Sequence, residues 1–171
     1  MAHLASRGIP LDSGVSQRWA RVYMFGIPIV FPNFDARRRI LFTHDVHHLL
    51  TGYDVTWTGE AEIGAFEIVT GCRHFWAAWF FNLGGYLFGL VIAPRRMFRA
   101  VVRARTCRNF YGDDEQRIGA LTVAAARSEL GLDRAPGRAT LVDAIVFGLW
   151  AVAIVALYVA APLLAVLWFV L

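Results

Sequence analysis

Three of the chain's five histidines stand together in His44-Asp45-Val46-His47-His48, and eleven residues separate His48 from Glu60. On a helix, His44 and His48 lie one turn apart and point the same way, with Asp45 bordering that face. Two imidazoles and a carboxylate on one face, met by a second carboxylate from the next element, have the donor types of a divalent-metal site. His44, Asp45, His48 and Glu60 are the candidate ligands, and any catalysis would run through the ion they hold. Zinc is the first expectation for this set, with cobalt, iron or manganese as alternatives.

Such a site needs two elements brought together. A helix is expected from about Ala36 through Leu50, carrying Ile40, Leu41, Val46, Leu49 and Leu50 beside the histidines. Thr51-Gly52 ends it, since glycine is the natural C-terminal stop. A loop over 53–58 follows, with Thr58 as the expected N-cap of a second helix, Gly59 to about Thr70. Glu60 then sits in that helix's first turn, and a helical hairpin turns it back toward the histidines.

The rest of the chain supplies a core and a membrane relationship. Residues 1–20 read as a polar arm, without the long apolar stretch of a secretory signal. Gly26, Pro28 and Pro32 break the apolar run Trp19–Phe34, so it is not a long helix. Phe75 to Ala93 carries no charge; it reads as a bilayer span or as a buried or half-inserted helix. Arginines crowd residues 94–110, and Arg95 and Arg96 are candidate contacts for lipid headgroups. Asp113, Asp114 and Glu115 are explained as charges at a helix start rather than a metal cluster. An amphipathic helix is expected over 116–131, then a linker over 134–140. From Ala144 onward the chain has 28 uncharged residues, enough for a membrane helix.

Composition agrees. Apolar residues make up 57% of the 171, the net charge is +4, and every one of the seventeen basic residues is arginine. Nucleic acid is excluded as a partner, because no recognition motif accompanies the charge. Cys72 and Cys107 are too few and too far apart for a disulfide framework or a CxxC site, so both are expected as free thiols. Arg127, Arg134 and Arg138 ahead of the last helix place the body on the cytoplasmic face of a bacterial inner membrane, or the equivalent matrix side.

Several chemistries compete for the histidine cluster. A zinc peptidase shows HExxH with glutamate as general base, and aspartate is shorter. HDVHH also satisfies the HxxHH box of membrane desaturases, but that diiron centre needs about eight histidines by its known pattern, beyond the five present. A metal hydrolase acting on a lipid headgroup is a further option.

The longer stretch HDVHHLLTGYDVTWTGEAEIGAFEIVTG resembles the ubiquinone (coenzyme Q) biosynthesis family typified by the fourth Coq protein, which carries HDxxH, eleven residues, then E. AARSELGL at 125–132 is similar to the ending of that family's last helix, so the likeness covers roughly residues 15–133. The anchor from 141 onward lies outside the family pattern. The resemblance implies an all-α fold with a metal-binding helical hairpin, here followed by a C-terminal membrane helix. The domain limits expected are 1–20 for the arm, 21–133 for the helical body that carries the likeness, 134–140 for the linker and 141–171 for the anchor. It implies His44, Asp45, His48 and Glu60 as metal ligands, while His47, outside the motif, is expected at the surface. The implied activity is metal-dependent oxidative decarboxylation, a lyase-type step with hydroxylation, on a prenylated benzenoid precursor. The implied partners are that isoprenoid lipid, other quinone-biosynthesis proteins, the membrane and a second copy in a homodimer. Gly84 and Gly85 would let the prenyl tail approach the backbone. The competing reading is a non-catalytic lipid-binding scaffold with a structural metal.

Overall fold

The computed structural model describes residues 16–24, 27–135 and 137–170. The first element among the described residues is an antiparallel hairpin, β1 (Trp19–Met24) and β2 (Ile27–Pro32), paired from Trp19↔Pro32 to Met24↔Ile27. The sequence excluded a long helix here, and the pair that forms instead is two edge strands, where Pro28 costs no ladder bond inside a sheet. Phe31 and Phe34 carry the hairpin onto the body by packing against Phe81, at ring separations of 5.9 and 6.2 Å.

Among the described residues, seven helices follow. Helix α1 is Asp35–Thr51 and α2 is Trp57–Thr70. Gly52 ends α1 at φ 80°, its N–H closing on the His48 carbonyl, as the sequence required. Arg103 donates to the Thr51 carbonyl at 2.8 Å, and Arg127 donates to that of Leu50. Two cations thus satisfy the negative end of α1. Helix α2 begins two residues earlier than its sequence signal. Thr56, not Thr58, is the N-cap; its hydroxyl accepts from the Gly59 N–H and is itself fixed by Asp54. Gly59 is obligatory in this turn, since a Cβ there would lie 1.9 Å from the Asp54 carbonyl oxygen.

Helix α3 (Trp76–Ile92) and α4 (Pro94–Ala104) pack on α2. Small residues set the closeness: a Cβ on Gly89 would meet Ala61 Cβ at 2.6 Å and Met97 Sδ at 2.5 Å, and one on Gly64 would meet the Asn82 carbonyl at 3.1 Å. Ile63, Phe66, Leu50, Phe110 and Leu130 form the buried core on the other side of α2. The amphipathic stretch expected over 116–131 divides into α5 (Glu115–Ala120) and α6 (Val123–Leu130). Thr122 offers its hydroxyl to Ala125 N–H, so a new N-cap replaces continuation. Asp114 caps α5, and Asp113 and Glu129 pair with Arg117, which places the acidic run at a helix start.

Helix α7 is continuous from Leu141–Val155 through a π-helical turn, Ala156–Ala160, to Ala161–Val170. Thr140 and Asp143 cap it reciprocally, and Arg105 holds Asp143 at 3.2 Å. The run Leu141–Trp168 is long and apolar enough to cross a membrane. Helix α3 is shorter than a span and is lodged between α2 and α7.

Candidate metal centre

The α1–α2 hairpin brings His44, His48 and Glu60 together, with one ligand atom from each lying within 4.8 Å of the others. Their Nε2 atoms are 3.2 Å apart, and Glu60 reaches both, Oε2 at 3.4 Å from His44 and Oε1 at 3.4 Å from His48. The other ring nitrogens fix the tautomers. His48 Nδ1 meets the Tyr53 carbonyl at 3.1 Å, and a carbonyl only accepts, so Nδ1 carries the hydrogen. His44 Nδ1 faces the Glu67 carboxylate at 3.2 Å and donates to it. Neutral rings held this way present two bare Nε2 lone pairs to each other beside a carboxylate. Such a set repels itself unless a cation, a proton or a metal ion, joins it. The donor set could therefore hold a metal ion.

Asp45 is not one of the converging groups. It lies one residue past His44, about 100° further round the helix by the 3.6-residue repeat, and the charge it influences is that of Arg37. In the structure the group gathers three of the four sequence candidates.

Glu67 adjoins the candidate site and is absent from the ligand pattern read from the sequence. Its carboxylate is fully buried and accepts from His47 Nδ1 at 2.7 Å, Asn82 Nδ2 at 2.6 Å and the Tyr111 hydroxyl at 2.8 Å, as well as from His44. A signal was present: Glu67 follows Glu60 by seven residues, two turns along the same face of α2. His47 corrects the surface expectation. It is buried, with Nε2 accepting from the Phe110 N–H at 3.0 Å and Nδ1 donating to Glu67. Position 47 lies about 100° round the helix from His48, on the inward face, so it reaches the carboxylate from behind the ligands. Asn109 ties the loop carrying Phe110 and Tyr111 to the end of α2, through Thr70 at 2.8 Å and the Gly71 carbonyl at 2.9 Å.

These contacts set the electrostatics. Burial opposes a charge on His44, yet Glu67 and Glu60 outweigh it and hold its pKa well above the ordinary imidazole range. Burial likewise works against ionised Glu67 and Glu60, and the histidines beside them overcome it, so both carboxyls lie well below the usual range. Cys72, beneath the network, is pushed up to about 12 by burial and by Glu67. Both cysteines are free, and the Cys72 thiol contacts Asn82 rather than the candidate ligands.

The weaker lipid candidates separate. Arg96 makes a paired contact with buried Glu62, Nε to Oε1 at 3.0 Å and Nη2 to Oε2 at 2.6 Å, so a helix-to-helix ion pair occupies it. Arg95 is exposed. Gly85 faces the Glu60 backbone carbonyl, 3.6 Å from where a Cβ would stand, while Gly84 opens on empty space. A comparison with protein-family models, curated proteins and solved structures finds no match.

Proposed function

We propose that this is a membrane-associated metal protein of ubiquinone biosynthesis. It acts on the prenylated benzenoid precursor by metal-dependent oxidative decarboxylation, in which a hydroxyl from an external oxidant replaces the ring carboxyl lost as carbon dioxide. It also meets the other quinone-modifying proteins at the membrane. The single observation that carries the metal centre is the meeting of two Nδ1-protonated imidazoles at Glu60. The likeness of HDVHH and Glu60 to the coenzyme Q family supplies the pathway.

A divalent ion held by His44, His48 and Glu60 would supply Lewis acidity toward the ring oxygens or carboxylate. The chain's own groups do the rest. His44 and His48 bring their Nε2 atoms, with Glu67 and the Tyr53 carbonyl fixing both rings. Glu60 completes the set from α2, and its side chain is 37% exposed. That side of the site opens outward, as a substrate-binding metal requires and a closed structural site does not. Trp57 and Phe88, 5.3 Å apart beside the opening at Gly84, give an apolar track for the prenyl tail. The apolar helix α7 associates the body with the membrane, with the arginine-rich body on the cytoplasmic or matrix side.

The scaffold reading, with a structural metal, is favoured by one observation: the Glu67 network itself ties α1, α2, α3 and the loop at 109–111 together. The deciding experiment is mass spectrometry of lipid extracts from a deletion strain carrying wild type or His48→Ala. Accumulation of the prenylated, carboxyl-bearing ring that wild type clears and His48→Ala does not is the expected result. Recovery of all late intermediates with His48→Ala would favour the scaffold, and unchanged quinones in the deletion strain would remove the pathway reading. Metal analysis of purified protein separates the ligands: His48→Ala loses the ion, whereas Asp45→Asn, outside the converging group, keeps it.

A further inference from the structure

The candidate span Leu141–Trp168 is 28 residues long. At about 1.5 Å per residue it rises about 42 Å, more than the roughly 30 Å of a bilayer's hydrocarbon. Length permits an upright crossing, but packing does not. A stripe of α7 is docked on the body. Phe147 lies against Tyr86 and Phe98 at 5.8 and 5.6 Å, Trp150 stacks on Trp79 at 5.9 Å, and the Tyr158 hydroxyl donates to the Phe80 carbonyl at 2.8 Å. The partners on α3 pass from Tyr86, at position 147, to Trp79 and Phe80, at positions 150 and 158, so the two helices run in opposite directions where they touch.

An upright α7 would carry this body with it. The middle of the candidate span falls near Ile154, between the two contacts that reach the start of α3. Trp79, which stacks on Trp150, also donates its indole N–H to the Arg73 carbonyl at 2.9 Å. Arg73 and His74 are both exposed there, and they would lie near the bilayer centre. An arginine at that depth is strongly disfavoured on insertion scales. The charged residues of α2 and α1 behind α3 would follow.

We infer that α7 does not cross the bilayer but lies along it, seated in one leaflet by its undocked apolar face together with the outer edge of α3. This rests on the membrane reading above. The outer face of α7 is exposed at Ile145, Leu149 and Val152, and the edge of α3 at Phe80 and Val91. Beyond Tyr158 every described side chain of the candidate span is exposed, among them Leu163, Leu164, Val166 and Trp168. That stretch is apolar all round, so a second copy docked on one side would leave the rest in water, whereas hydrocarbon surrounds it. Residues 159–168 rise about 15 Å, half the hydrocarbon thickness. Exposed Arg95 and Arg99 of α4 flank Phe98, beside the docked part of α7, where anionic headgroups would meet them.

The test uses the full chain with one epitope at each end, produced in cells and recovered in sealed inner-membrane vesicles of both orientations. Both epitopes are expected to be digested by protease in the same vesicle population and protected in the other. Digestion in opposite populations would show a crossing and overturn the inference while leaving membrane association intact. Failure of the protein to float with vesicles, with α7 buried in a soluble dimer, would overturn the membrane reading and this inference together.

Discussion

Replacing Glu67 with glutamine probes the metal centre without touching a ligand. Four donors converge on this buried carboxylate: His47 on one oxygen, Asn82 and Tyr111 on the other, and His44 across both at 3.2 and 3.3 Å. A glutamine can keep its amide oxygen on the histidines and turn its NH₂ toward Tyr111, whose hydroxyl oxygen can accept. Asn82 must then rotate its carboxamide and give up the 3.5 Å contact to Cys72. The fold has a way to survive, but the charge that orients His44 is gone. Partners of this type typically govern about 10–100-fold of metal affinity, or about 1.4–2.7 kcal/mol. The loss should be greatest at alkaline pH, because at lower pH the variant also releases His44 from the proton that Glu67 stabilises. The assay is zinc competition against a chelating dye across pH, with the visible spectrum of the cobalt-loaded protein reporting ligand geometry. Affinity and spectrum identical to wild type, in a variant with an unchanged unfolding transition, would refute the claim that Glu67 orients the ligand.

Two further outcomes follow from the same geometry. Metal-free stability should peak between the unfolded-state values of glutamate and histidine, about pH 4.3 and 6.5. The depressed pKa values of Glu60 and Glu67 give stability above the former that is lost as pH falls. The raised pKa of His44 gives stability below the latter that is lost as pH rises through its folded value. Thermal unfolding across pH checks this, and saturating zinc should remove the alkaline decline, because the ion replaces the proton. Gly89→Val should destabilise the protein by at least about 1–3 kcal/mol, the usual range for overpacking, since even its Cβ meets Met97 and Ala61 inside contact distance. Denaturant titration reads the loss, and an unchanged midpoint would contradict the close α2–α3–α4 crossing.

Much of the site was legible because helices impose a short-range rule. The spacing of His44 and His48 places both on one face in any helix, and Gly52 marks where that helix must stop. Glu60 arrives opposite them because the turn between the helices is brief and Gly59 admits the close approach of Asp54. The hairpin at residues 19–32 was legible only as an interruption, since proline and glycine forbid a helix without naming what replaces it. The split between α5 and α6 turned on whether Thr122 would cap or continue, a local choice that periodicity does not register.

The sequence by itself determined the donor set, its order along the hairpin and the apolar run at 141–168, because these follow from residue type and repeat. Tertiary structure decided which donors converge. Asp45 and His47 differ from the ligands by a fraction of a turn, and only the packing of α1 against α2 and the loop at 109–111 says which way each points. It also decided that Glu67 is a shared acceptor, since His47, Asn82 and Tyr111 come from three separate elements. The docking of α7 on α3 belongs to the same class: hydrophobicity makes a helix long enough to cross a membrane, but what already lies against it governs how it can enter.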